Sequence, residues 1–153
     1  MSTTTAQPDL LKAIIGHLLV NTTLTNLTST RISGEFHNDW LASGDKAPSK
    51  SLLIRHNSDV NNDPDTRISF TRMDVRCYGQ TGFEAMKVWN VLKPTLCPGA
   101  DARNSFSRGG CRVYQVGVES GPIRTLEPDT KWPVVFGSFI FMWSEVPATV
   151  NSE

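Results

Sequence analysis

The tightest constraint on this chain is a strand that runs directly into a helix. Residues 67–78 alternate, with Thr71, Met73, Val75 and Cys77 on one side and Arg72, Asp74 and Arg76 on the other. A pleated strand with one buried face produces that two-residue period. Gly79-Gln80 breaks the pattern, and Thr81-Gly82-Phe83-Glu84 reads as a capping box. In it the Thr81 hydroxyl serves the Glu84 amide and the Glu84 carboxylate reaches back. A helix therefore starts at Gly82 and buries Phe83, Met86, Val88, Trp89 and Leu92. It is predicted to stop near Leu92, because the residue before Pro94 avoids the helical region.

The other elements follow from similar signals. Pro8 suits a first helical position, and Leu10, Leu11, Ile14, Ile15, Leu18 and Leu19 recur at one-face spacing, with Lys12, Ala13, Gly16 and His17 opposite. Residues 21–30 are Thr-rich and poor in helix formers, which predicts the helix end and a loop. A short strand is expected over 31–33 and a long loop over 34–50, in which Phe36 and Trp40 either fold back onto the core or meet a partner. Residues 51–55 read as a strand, and 56–66 as turn chemistry that joins it to the strand at 67–78. Two more strands are expected, 111–118 and 134–143, separated by turns at Gly121-Pro122 and Glu127-Pro128-Asp129, with fraying from Glu145. The fold class expected is α+β: two helices packed on a mostly antiparallel four- to five-stranded sheet, one two-layer domain over 1–153 with flexible ends at 1–7 and 147–153.

Composition narrows the function. The 153 residues suit one ordinary domain, and 15 basic and 15 acidic side chains cancel, leaving no global field for nucleic acid or an anionic membrane. The sequence shows no membrane span and no secretory pattern, so a cytosolic setting is expected. Cys77, Cys97 and Cys111 fit neither a disulfide framework nor paired zinc ligands, and read as reduced structural residues.

No motif carries catalysis convincingly. His17, His37 and His56 lack metal-ligand spacing. Asp59, Asp63 and Asp65 lack the glycine and closing glutamate of a calcium loop and read as a solvated hairpin tip. The 105–110 segment, Ser-Phe-Ser-Arg-Gly-Gly, flanked by Arg103 and Arg112, has the glycine and basic content of a phosphate loop. It lacks the Walker lysine and precedes a strand instead of a helix, so a basic loop that meets an acidic protein surface is the plainer reading. Neither an enzyme activity nor a metal or cofactor is expected.

The stretch Arg72-Met73-Asp74-Val75-Arg76-Cys77-Tyr78-Gly79-Gln80-Thr81-Gly82-Phe83-Glu84-Ala85-Met86-Lys87-Val88-Trp89 resembles the strand-turn-helix core of tail terminator (tail-completion) proteins of long-tailed bacteriophages. An N-terminal Asp9-Leu10-Leu11 helix, a Thr30-Arg31-Ile32-Ser33 strand and a late Glu127-Pro128-Asp129-Thr130-Lys131-Trp132 turn agree in order and spacing. The resemblance implies a virion protein, assembled in the host cytoplasm, that forms a homohexameric ring on the last tail-tube ring, ends tube growth and offers a surface to the head-tail connector. Its partners would be its own copies, the tail-tube protein and the connector, with genome DNA passing through the lumen ungripped. On that reading Phe36, Trp40, Arg72, Asp74, Arg76, Arg103 and Arg108 are the candidate interface residues. The alternatives are a neck or tail-tube ring protein and, from another class, a small enzyme built on the 103–112 loop; a DNA-binding module fits the balanced charge least.

Overall fold

The computed structural model describes residues 9–41, 47–63, 67–98 and 105–146. Helix α1, Leu10–Leu19, starts where the Asp9 carboxylate accepts from the Lys12 amide at 3.2 Å. Pro8 lies outside the described residues. Leu10, Ile14 and Leu18 are buried as the periodicity requires, but so is Ala13, from the side read as open. A strand further along the chain covers that side.

Residues 21–30 do not form a loop. Helix α2, Thr22–Thr28, is capped by Asn21, whose side chain accepts from the Leu24 amide at 2.8 Å. The Thr25 and Thr28 hydroxyls bond back to the carbonyls of Asn21 and Leu24, four residues earlier. Low propensity is overridden by a good cap and by complete burial of Leu24 and Thr28. Strand β1, Ile32–Ser33, follows, and then a 3-10 turn at Asn38–Trp40 within the expected loop.

Strand β2 runs Ser51–Asp63, well beyond the expected end at Arg55, with register shifts between His56 and Ser58 and between Asp59 and Asn61. The polar residues read as turn chemistry are thus a bulged strand paired with β3, Ile68–Tyr78. Helix α3, Gly82–Leu96, has the predicted cap: Thr81 Oγ1 accepts from the Glu84 amide at 3.2 Å. The Glu84 carboxylate reaches back one residue further, to the Gln80 amide at 3.3 Å. The helix continues through Pro94 because Leu96 is buried and the Thr95 hydroxyl and Cys97 amide satisfy the carbonyls of Val91 and Lys93. Phe83, expected in the core, is 72% exposed.

The remaining strands are β4, Phe106–Arg108, β5, Cys111–Leu126, and β6, Pro133–Glu145. Gly109 and Gly110, both at positive φ (60° and 81°), make the two-residue turn from β4 to β5. The expected turn at Gly121-Pro122 is instead a register shift inside β5. Proline, lacking an N–H, is tolerated there because β4 pairs only with Cys111, Arg112 and Val113 and leaves the later half of β5 on an edge.

The strand order is β1-β2-β3-β6-β5-β4. β1 pairs with β2 in parallel and every other pair is antiparallel. The expectation of two helices on four or five strands is therefore corrected: the fold stays α+β, but three helices accompany a mixed six-stranded sheet curved as a half-barrel. The unanticipated strand, β4, is a three-residue edge and the missing helix is a short capped turn of chain, both too brief to show a period.

The main core lies between the helices and one sheet face. Trp89 of α3 stacks on Phe139 of β6 with centroids 5.3 Å apart, among Leu18, Leu24, Ile54, Met73, Val75, Leu92 and Phe141. Gly137 lets that packing close, since a methyl there would stand 2.3 Å from the Trp89 ring. A smaller cluster of Trp40, Leu53, Tyr78 and Val134, flanked by Phe36, Trp132 and Phe136, sits on the opposite face at one end.

Candidate functional site

Alternate residues of β2, β3 and β6 carry the sheet face turned away from the helices. Asp74 lies between Arg55 and Ser138 in register, Arg72 beside Ile140, Arg76 beside Phe136, and Phe70 beside Met142. Each charged residue predicted here is held by a partner in the same chain. Arg72 grips Glu119 with its Nη2 at 2.8 Å and its Nε closer still, and that bond, above all, raises its pKa. Asp74 accepts from Asn57 Nδ2 at 2.8 Å. Arg76 Nη1 lies 3.3 Å from Glu127 Oε1, with its guanidinium carbon 5.0 Å from the Phe136 centroid.

Glu127 closes this end of the face. It takes the Tyr78 hydroxyl at 2.5 Å and the Thr130 hydroxyl at 3.1 Å. Burial first, and the Glu127 hydrogen bond second, push the Tyr78 phenol up to about 12. Trp40, 3% exposed, and half-buried Phe36 fold onto this cluster: their rings meet edge-on at 5.3 Å, and Phe36 stacks on Trp132 at 5.4 Å. Trp40 thus spends its surface within its own chain, whereas Phe36 keeps some to offer.

Among the described residues of the basic segment, Arg108 and Arg112 point to different sides. Arg103 lies outside the described residues. Arg108 pairs in register with buried Cys111 and turns toward the helices, where its guanidinium packs over Gly16. Arg112, next along, lies on the other side with its guanidinium over the Tyr114 ring at 5.5 Å. Beside Arg108, the His17 ring stacks on Phe106 at 3.8 Å, and burial first, then the Arg108 charge, hold its pKa below the ordinary value.

Of the other polar residues singled out, His37 bonds Ser33 Oγ at 3.2 Å. His56 lies 3.3 Å from Asp59, which also accepts from the Thr71 hydroxyl at 2.8 Å, and Thr71 in turn accepts from Trp143 Nε1 at 2.9 Å. The Thr71 bond in particular holds the Asp59 carboxyl below its usual range. These groups line a cavity of about 340 Å³ with Asp9, Leu10, Leu11 and Met73. The Thr71 hydroxyl donates to the carboxylate while accepting from the Trp143 indole, so the chain of bonds fixes the orientation of Asp59. The Asp63 side chain and Asp65 lie outside the described residues. Cys77 and Cys111 are buried with thiols pushed up by burial, and Cys97 donates to the Val116 carbonyl at 3.2 Å. Among the described residues, no group of three or more His, Cys, Asp or Glu side chains is placed to hold a metal ion, and no helix is long and apolar enough to cross a membrane.

The largest exposed feature escaped the sequence reading. Every residue of β5 from 117 to 126 is exposed, including Val118 (37%), Ile123 (57%) and Leu126 (54%). Beside it stands Phe83, under the Arg124 guanidinium at 4.8 Å. The available signal was Ile123 and Leu126 recurring just past a supposed turn, which a turn does not explain.

The sequence matches no protein-family model, and no curated protein matches it significantly.

Proposed function

We propose that this chain is a ring-forming structural protein of the tail-terminator kind, which caps a phage tail tube, ends its polymerisation and presents a joining surface to the head connector. The observation that carries the assembly part is the exposed 117–126 stretch with Val118, Ile123 and Leu126 uncovered. A long strand edge with apolar side chains in water is an aggregation hazard unless a defined partner completes it. The likeness of residues 72–89 to terminators supplies the virion context.

On this reading Arg72, Asp74 and Arg76, already oriented by Glu119, Asn57 and Glu127, present a polar face of fixed geometry to a neighbour. Charges held in place before docking cost less to order on binding. A ring contact is heterologous, repeating one patch-to-patch interface until the circle closes. Phe36, for an adjacent subunit or axial partner, and Arg108, for an acidic protein surface, are the further candidate contacts.

Native mass measurement and negative-stain imaging of the purified chain, alone and with polymerising tail-tube protein, test the proposal. A closed ring that seats on tube ends and halts growth is the expected result. A chain that stays monomeric at high concentration and leaves tube growth unaltered overturns it. Self-stacking into filaments would mark a tube subunit instead.

A further inference from the structure

We infer that the ring contact is a β-sheet continued from one copy into the next, with the 117–126 edge of β5 paired antiparallel to the 55–60 edge of β2 in the neighbouring copy. This rests on the ring reading and specifies its interface.

Both ends of the sheet are bare among the described residues. At one end β4 covers β5 only at Cys111, Arg112 and Val113; at the other β1 covers β2 only at Leu52 and Leu53. Residues 117–126 and 55–60 therefore present one side of their backbone without a neighbouring strand. Such an edge accepts a further strand through main-chain hydrogen bonds.

The directions agree. β2 is antiparallel to β3, β3 to β6 and β6 to β5, so β5 runs opposite to β2. A second copy brought alongside without being turned over sets its β2 antiparallel to the first copy's β5, and can repeat that contact around a circle. The side chains suit each other as well. Val60, 48% exposed, is the apolar residue of the β2 edge, against Val118, Ile123 and Leu126 on β5.

Charge follows the same division. On the helix side of the β2 edge stand Asp59, which accepts from the Thr71 hydroxyl and lies 3.3 Å from His56, and nearby Asp9. On the helix side of β5 is Arg124, level with Val135. Pro122 and the register shift around it interrupt the β5 edge, splitting it into two short pairing stretches and so limiting indiscriminate growth. A two-fold pairing of β5 with β5 would instead close at a dimer and leave the β2 edge bare.

The test uses the full chain with Val60→Lys on one edge and Ile123→Lys on the other. Both positions are solvent-exposed, so each monomer should keep the wild-type melting curve. Each variant alone should fail to form the ring at concentrations where the wild type assembles. Mixed, they should give a one-to-one heterodimer by native mass, because each supplies the edge the other lacks. Amides of 55–60 and 117–126 should also gain hydrogen-exchange protection when the wild-type ring forms. Rings from both single variants would overturn the edge contact while leaving ring formation intact. Homodimers of Val60→Lys that Ile123→Lys cannot form would overturn it in favour of two-fold β5 pairing. A wild type that never assembles would remove the ring reading itself.

Discussion

The two faces of the sheet are built from the same strands and obey different rules. The helix-covered face is closed by side chains with almost no exposure, Met73, Val75, Cys77, Val135, Phe139 and Phe141, against Val88, Trp89 and Leu92 of α3. The opposite face carries Arg72, Asp74 and Arg76 among half-exposed Phe70, Phe136, Ile140 and Met142, covered only at one end by the aromatic cluster. One face holds its stability in shape, and the other holds geometry in charge pairs that leave surface for a neighbour. The lesson is that fold and docking are separable here: loss on the first face should unfold the chain, and loss on the second should spare the fold.

The sharpest break of that contrast is Trp89→Ala, which empties the space over Phe139 and Gly137. It should cost about 3–5 kcal/mol of unfolding free energy, read by urea titration. Gly137→Ala attacks the same contact by overfilling it; with the Trp89 ring 2.3 Å from the new methyl, a loss of about 1–3 kcal/mol is expected in the same titration. On the open face, Glu119→Gln removes the charge opposite Arg72 and should leave the unfolding midpoint nearly unchanged in the same titration, since the pair is solvent-screened. If that substitution matched Trp89→Ala, the division of labour would be wrong.

The smallest effect is one of pH. His17 titrates at its ordinary value of 6.5 in the unfolded chain and lower in the fold. The unfolded state therefore binds more protons below that value. Stability is complete above about 6.5 and declines as pH falls toward the folded value. His17→Phe should flatten this part of the stability profile, measured by denaturant midpoints between pH 7 and 5.

What was legible in the sequence follows the same division. The alternation of 67–78 and the Thr81 cap are local signals, and both appear where they were read, because burial on one side enforces a period within a single segment. Phe83 was misplaced because helical spacing tells which residues share a face but not how far a neighbouring sheet reaches over the first turn. The 56–63 stretch and Gly121-Pro122 read as turns because Asn, Asp, Gly and Pro favour them. Strand pairing with 68–78 and with β6 overrode that preference, absorbing the misfit in bulges. The partners on the open face are remote: Arg72 meets Glu119 and Arg76 meets Glu127, 47 and 51 residues away. No window of sequence contains both members of either pair.

The aromatic cluster has a further consequence for watching the molecule at work. Of the four tryptophans, Trp40 and Trp132 lie in that cluster, while Trp89 and Trp143 pack on the helix side. Emission from the first two reports on the segment around Phe36, and emission from the second two reports on the main core. The chain thus carries two intrinsic fluorophore sets, one for each side, and a spectral change in the first without the second would signal a neighbour's arrival rather than melting.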